Sequence, residues 1–125
     1  MPPELCADRL EQVRSAVGAI RTLELADALT TRVADLLEAI SGEAEANADL
    51  AAQTHQIRSA AGALALLRLS DTLARLETAL RRPHAQAAVA AAAQAVQRAM
   101  SAGAAALIEA ISARDAAHPS ALAST

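Results

Sequence analysis

Phenylalanine, tryptophan and tyrosine are missing altogether from this chain of 125 residues. Any hydrophobic interior must therefore be aliphatic, and with 54% of the residues apolar there is enough material for the core of one compact domain. The same absence removes the aromatic platforms on which single-stranded nucleic acids stack. Lysine is missing too. All 11 basic residues are arginines, they form no basic run, and the formal net charge is −3. Binding to a nucleic-acid backbone demands clustered positive charge, which this chain lacks.

A single cysteine, Cys6, excludes an intrachain disulfide and a cysteine-based metal cluster, and it suits a reducing compartment. The N-terminal Met1-Pro2-Pro3-Glu4 has no basic segment followed by an apolar run. Nowhere do about 18 uncharged apolar residues follow one another, as a membrane-spanning helix would require. The expectation is a cytoplasmic chain with neither membrane nor nucleic acid among its partners. Strand-forming β-branched and aromatic residues are sparse or absent, whereas Ala and Leu, both favourable in helices, dominate.

The apolar residues recur at helical intervals. Leu5, Leu10, Val13, Val17 and Ile20 predict a first amphipathic helix starting just after the prolines. It either breaks near Gly18 or runs on into a second stripe, Leu25, Leu29, Val33, Leu36, Leu37 and Ile40, which stops at Ser41-Gly42. A third helix is predicted over residues 44–66, with Glu43, Glu45 and Asp49 toward the positive end of its dipole. Its stripe is Leu50, Ile57, Ala60, Ala61 and Leu64. A short turn from Leu66 to Ser70 leads into a fourth helix carrying Leu69, Leu73, Leu76 and Leu80, which ends before Pro83.

Pro83 suits the first turn of a fifth helix, whose Val89, Val96, Met100, Leu107 and Ile111 keep near-heptad spacing, with Ala93 filling a gap. The pattern fails from about Asp115. The predicted fold is all-α: an antiparallel four-helix bundle with an additional N-terminal helix over residues 1–114, then a flexible C-terminal tail over residues 115–125.

Three histidines are the candidate nucleophiles near neutral pH. His118 falls in the predicted tail and His84 at a predicted helix start, so His55 alone has a structured surrounding. On a helical wheel with Ile57 at zero, Leu50, Ala61 and Leu64 lie within about 40°, whereas His55 lies at about 160°. That geometry predicts an imidazole pointing to solvent, opposite the core. Its neighbours one turn away, Ala51, Ala52 and Ser59, and then Gly62, are small, which leaves the ring clear of the helix surface.

The segment T-H-Q-I-R-S-A-A-G-A-L-A-L-L-R-L, from Thr54 to Leu69, resembles the signature of histidine-phosphotransfer domains of bacterial phosphorelays. His55, Ile57, Arg58, Ala60, Ala61, Leu64 and Leu69 occupy matching positions, and the likeness extends through the Leu-rich L-S-D-T-L-A-R-L-E that follows. Two positions depart from the pattern. Ser59 stands where a glycine is expected four residues after the histidine, and Ala65 where one is expected ten residues after it. Ala65 thereby removes an easy left-handed helix ending.

The resemblance implies a phosphorelay intermediate of two-component signal transduction. Its phosphorylated residue would be His55, whose Nε2 would attack the receiver's phospho-aspartate. Arg58 would stabilise the phosphoryl oxygens, and Ser59 would leave room for access. Ala51, Ala52, Gly62 and Leu66 would contact the partner, Leu66 doing so only if the helix persists that far. The implied partners are the receiver domains of a hybrid sensor kinase and of a response regulator. No cofactor is implied for this chain, because Mg²⁺ belongs to the receiver, and a monomer is the default. A chain without a Gly-rich nucleotide loop needs a separate kinase to start the relay. Three other readings stay open: a histidine-kinase dimerisation domain, though Gln56 stands where such domains carry an acidic residue; a non-catalytic helical adaptor; and a degenerate phosphotransfer fold that binds receivers without accepting phosphate.

Overall fold

The computed structural model describes residues 3–41 and 48–117. Among these the chain is all-helical, with five helices and no strand: α1 (Ala7–Val17), α2 (Ala19–Ser41), α3 (Ala48–Ala63), α4 (Leu67–Leu80) and α5 (Gln86–Ala117). No helix of the described residues is long and apolar enough to cross a membrane. Glu43, Glu45 and His118 lie outside the described residues, as does the predicted tail beyond Ala117. Helix α5 carries on through the first three residues assigned to that tail.

Gly18 separates α1 from α2. It takes φ +84°, a conformation glycine adopts without steric cost, while its N–H still closes α1 by donating to the Arg14 carbonyl at 2.8 Å. The break resets the helical phase, which is why the predicted first stripe does not survive. Leu10 is buried, but Val17 and Ile20 are 44% and 76% exposed. Helix α2 instead turns Thr22, Ala26, Leu29, Val33, Leu36 and Ile40 inward.

The long helices α2 and α5 pack against each other, and the shorter pair α3 and α4 lies alongside, α3 on α2 and α4 on α5. The main core fills the space between them with Leu29, Val33 and Leu36 from α2, Ile57 from α3, Leu69, Leu73, Leu76 and Leu80 from α4, and Val96 and Met100 from α5. Beyond the α3–α4 turn, a smaller cluster of Leu10, Ala26, Ala65, Leu107 and Ile111 lies where α1 covers the rest of the long pair. Three buried threonines are satisfied locally. Thr22 and Thr54 donate to the carbonyls of Gly18 and Leu50, both at 2.7 Å, and Thr72 donates to that of Leu69 at 2.9 Å.

The α3–α4 turn is tighter and earlier than predicted. Helix α3 ends at Ala63 rather than at 66, because Ala65 takes φ +68°. The Leu66 N–H reaches back to the Ala61 carbonyl at 2.9 Å, and the Ala65 N–H to that of Gly62 at 3.1 Å. This is the paired closure that usually has glycine at the left-handed position. An alanine there costs about 1–2 kcal/mol of backbone strain. Two contacts oppose that cost. The Ala65 methyl is fully buried in the smaller core, and its carbonyl accepts the Cys6 N–H at 2.9 Å.

That last bond belongs to a short bridge between Leu5 and Leu66. In it the first amide of α4, on Leu67, also donates to the Glu4 carbonyl at 2.9 Å. Glu4 pairs with Arg68 at 3.0 Å, and Arg9 donates to the Gly62 carbonyl at 3.1 Å. The N-terminal segment thus pins the turn.

A β-branched residue tolerates the left-handed region far less well than alanine, and the site has no spare volume. Ala65→Val is expected to lower unfolding stability by about 3 kcal/mol. A denaturant titration checks it, and a change under about 1 kcal/mol would contradict the strain assigned to this turn.

Pro83 does not open α5. It sits in a turn in which His84 takes φ +56°, and this left-handed step breaks any right-handed path before Gln86. The N–H of Val89 then donates to the Ala85 carbonyl at 2.9 Å as the helix starts.

Candidate functional site

Leu66 sits at the fold-back of the α3–α4 hairpin. His55 on α3 and Glu77 on α4 each stand eleven residues from it, at matching heights on neighbouring antiparallel helices. Their side chains meet: His55 Nδ1 lies 3.1 Å from Glu77 Oε1. The histidine side chain is 52% exposed and the glutamate only 15%. His55 therefore projects from the edge of the packed face and leans toward α4, instead of standing opposite the core.

The rotation of α3 explains this. Ala51 and Thr54 are fully buried together with Leu50, Ile57 and Ala61. The buried arc then runs from about 0° to about 120° on the wheel centred on Ile57, which puts His55 roughly 100° from its middle.

Two arginines complete the cluster. Arg58, one turn after His55, places Nη1 3.7 Å from Glu77 Oε1 and Nη2 3.2 Å from His55 Nδ1. Arg81, one turn after Glu77, places Nη2 3.5 Å from Glu77 Oε2. Among the described residues, His55 Nε2 has no hydrogen-bond partner. The guanidinium of Arg58, read from the sequence as a phosphoryl contact, thus lies by the Nδ1 edge of the ring and beside Glu77.

Partial burial alone would push the Glu77 carboxyl up. The hydrogen bond from His55, with the charges of His55, Arg58 and Arg81, outweighs this and holds it below its usual value of 4.5. A carboxylate depressed on folding adds stability that is present above its unfolded value and lost as pH falls through the folded one. Glu77→Gln removes that contribution. The wild-type advantage over this variant is therefore expected to narrow as pH drops below 4.5, as read from denaturant midpoints at neutral and acid pH. An advantage that persisted undiminished in strong acid would contradict the pairing.

The other residues singled out by the sequence divide into two sets. Ser59 is exposed and donates its hydroxyl to the His55 carbonyl at 3.3 Å, which folds it down against its own helix. Ala52 is exposed on the same side, and Gly62 is half-buried, its carbonyl held by Arg9. Ala51 and Leu66 are corrections. Both are fully buried and so have no surface to offer a partner. Ala51 is drawn in by the rotation of α3. Leu66 lies past the end of that helix, where the turn directs it into the core so closely that a Cβ on Gly103 of α5 would stand 3.1 Å from its Cδ2.

Glu77 and Arg81 are functional candidates that residue spacing on α3 alone misses. The mirrored distances from the turn would point to Glu77 once the turn is placed at Leu66. The chain matches no protein-family model, no curated protein and no solved structure.

Proposed function

We propose that this chain is a histidine-phosphotransfer domain, a phosphorelay intermediate in which His55 takes a phosphoryl group from a phospho-aspartyl receiver domain and passes it to the aspartate of another. In this reading α2 to α5 form an antiparallel four-helix bundle to which α1 is added at the N-terminal end. Support for that arrangement comes from packing, since each of the four helices lies against two of the others, α2 with α3 and α5, α4 with α3 and α5.

The observation that carries the function is the disposition of one ring. His55 is half-exposed on a helix anchored by fully buried residues, its Nδ1 is turned toward α4, and its Nε2 is unpartnered among the described residues. In-line phosphoryl transfer needs the attacking nitrogen and the phosphorus to approach to about 3–3.5 Å, which only a projecting, uncrowded ring allows. Exposed Ala52 and Ser59 add little bulk beside it. The likeness of residues 54–69 to the phosphotransfer signature adds to this support.

The partners are the receiver domains of a hybrid sensor kinase and of a response regulator, in the cytoplasm, with Mg²⁺ held by the receiver and the chain acting as a monomer. Mixing the purified chain with a panel of phosphorylated receivers tests the reading. Rapid label transfer from at least one receiver, acid-labile and base-stable on this chain, is expected. Receiver binding without any label would describe an adaptor and overturn the proposal.

A further inference from the structure

We infer that the cleft between the C-terminal end of α2 and the start of α5 is a binding site for a small aliphatic carboxylate, with the hydrocarbon inside the bundle and the carboxylate at Arg82. The inference stands apart from the phosphotransfer reading and does not need it.

The cleft holds about 410 Å³ at the end of the bundle away from the α3–α4 turn. It exists because α5 offers too little bulk there. Toward its far end α5 sends Leu107 and Ile111 into the smaller core, whereas near its start it lines the cleft with Val89, Ala90 and Ala93. Leu37 and Ile40 of α2 therefore border a gap instead of a large side chain. Leu50 of α3 and Leu80 of α4, both buried, close its inner wall.

An apolar hollow of this kind holds water poorly and gains from an apolar guest. The volume lies toward the small end of the range for ligand pockets, with room for one medium-length hydrocarbon chain and too little for a two-chain lipid. The protein has no aromatic residue, so the walls present no ring on which a planar ligand stacks, and an aliphatic guest fits them best.

Charge selects the head group. Acidic residues outnumber basic ones by 14 to 11 in the chain, yet none of the described residues lining the cleft is acidic, and one, Arg82, is basic. Its neighbour Arg81 pairs with Glu77, but Arg82 has no ion-pair partner among the described residues. An exposed guanidinium offers a carboxylate two parallel N–H donors. The exposed amides of Gln86, Gln94 and Gln97 border the same opening and add neutral donors. Because Arg82 is exposed, the hydrocarbon supplies most of the affinity and the arginine sets the preference for an anion.

Decanoate, kept below its micellar concentration, is the probe, and carbon-13 methyl NMR of the full chain locates it. Saturable one-to-one shifts are expected at Leu37, Ile40, Leu50, Leu80 and Val89, while Val17, Ile20 and Ile108, exposed elsewhere on the surface, stay unmoved. From hexanoate to decanoate each added methylene should tighten binding by about 3- to 4-fold. Arg82→Gln should weaken decanoate by about 5-fold and leave the neutral decanol unchanged. Ala93→Leu fills the hollow and should abolish binding of both, and the surface variant Arg82→Gln still decides the charge claim if Ala93→Leu does not fold.

Cleft methyls that stay still at millimolar decanoate, or that shift without saturating together with the exposed isoleucines, would overturn the site. Equal weakening of decanoate and decanol in Arg82→Gln, or none, would overturn the choice of an anion. Shifts at the same methyls that grow with protein concentration alone would mean that a second copy covers the cleft, which also overturns the proposal.

Discussion

Replacing His55 with glutamine is expected to reduce receiver-dependent labelling to background, a loss on the order of 10³-fold or more, because the nucleophile forms the covalent intermediate and has no understudy. His84 cannot stand in for it. It lies in the turn between α4 and α5, whereas His55 lies mid-helix, eleven residues along α3 from the opposite turn. Glutamine retains the length and polarity of the side chain, and its amide can still meet Glu77.

The folded state should therefore change little. The ring is 52% exposed, and Glu77, though only 15% exposed, keeps Arg58 and Arg81 as partners, so a loss of about 1 kcal/mol or less is expected. Circular dichroism and a denaturant midpoint close to wild type, measured on the same preparation that fails to take label, would show that chemistry and not folding has been lost. Substantial labelling of the variant would mean that the phosphoryl group goes elsewhere.

Leu66→Ala should do the opposite. It removes a fully buried side chain at the junction of the α3–α4 turn with α5, and Gly103, having no side chain, offers nothing to fill the void. Large-to-small changes at such sites cost about 2–5 kcal/mol, and little collapse is available here, so a loss of about 3–4 kcal/mol is expected. For a domain of this size that lowers Tm by more than about 10 °C. A surface Leu66 that docked a partner would instead leave Tm unchanged and weaken only binding. Thermal unfolding alone thus discriminates between the buried residue and the docking residue its place in the sequence first suggests.

Much of the helical layout is legible from the aliphatic stripes. Leu29, Val33, Leu36 and Ile40, and then Leu69, Leu73, Leu76 and Leu80, face inward as their spacing predicts. Large apolar side chains at fixed intervals leave a helix only one way to face. Where the stripe is built from small residues the information fades. On α3, Ala51 and Thr54 are buried as deeply as Ile57, yet neither announces it, so the predicted facing of His55 is off by roughly 60°.

Backbone exceptions are harder still to read. Ala65 and His84 adopt positive φ without being glycine, so the end of α3 and the start of α5 come where composition gives no sign. The candidate site divides in the same way. His55 and its exposed neighbours Ala52 and Ser59 follow from helical geometry alone. Its bond to Glu77 depends on where the chain turns, and an error of a few residues there puts a different α4 side chain opposite the ring.

The most direct check on the central claim is to incubate the chain with a phosphorylated receiver, digest it under conditions that preserve acid-labile phosphate, and locate the modification by mass spectrometry. The account predicts a single modified residue, His55, with the phosphoryl group on Nε2. Phosphate on Ser59, His84 or any other side chain, or a chain that no receiver modifies, would contradict it.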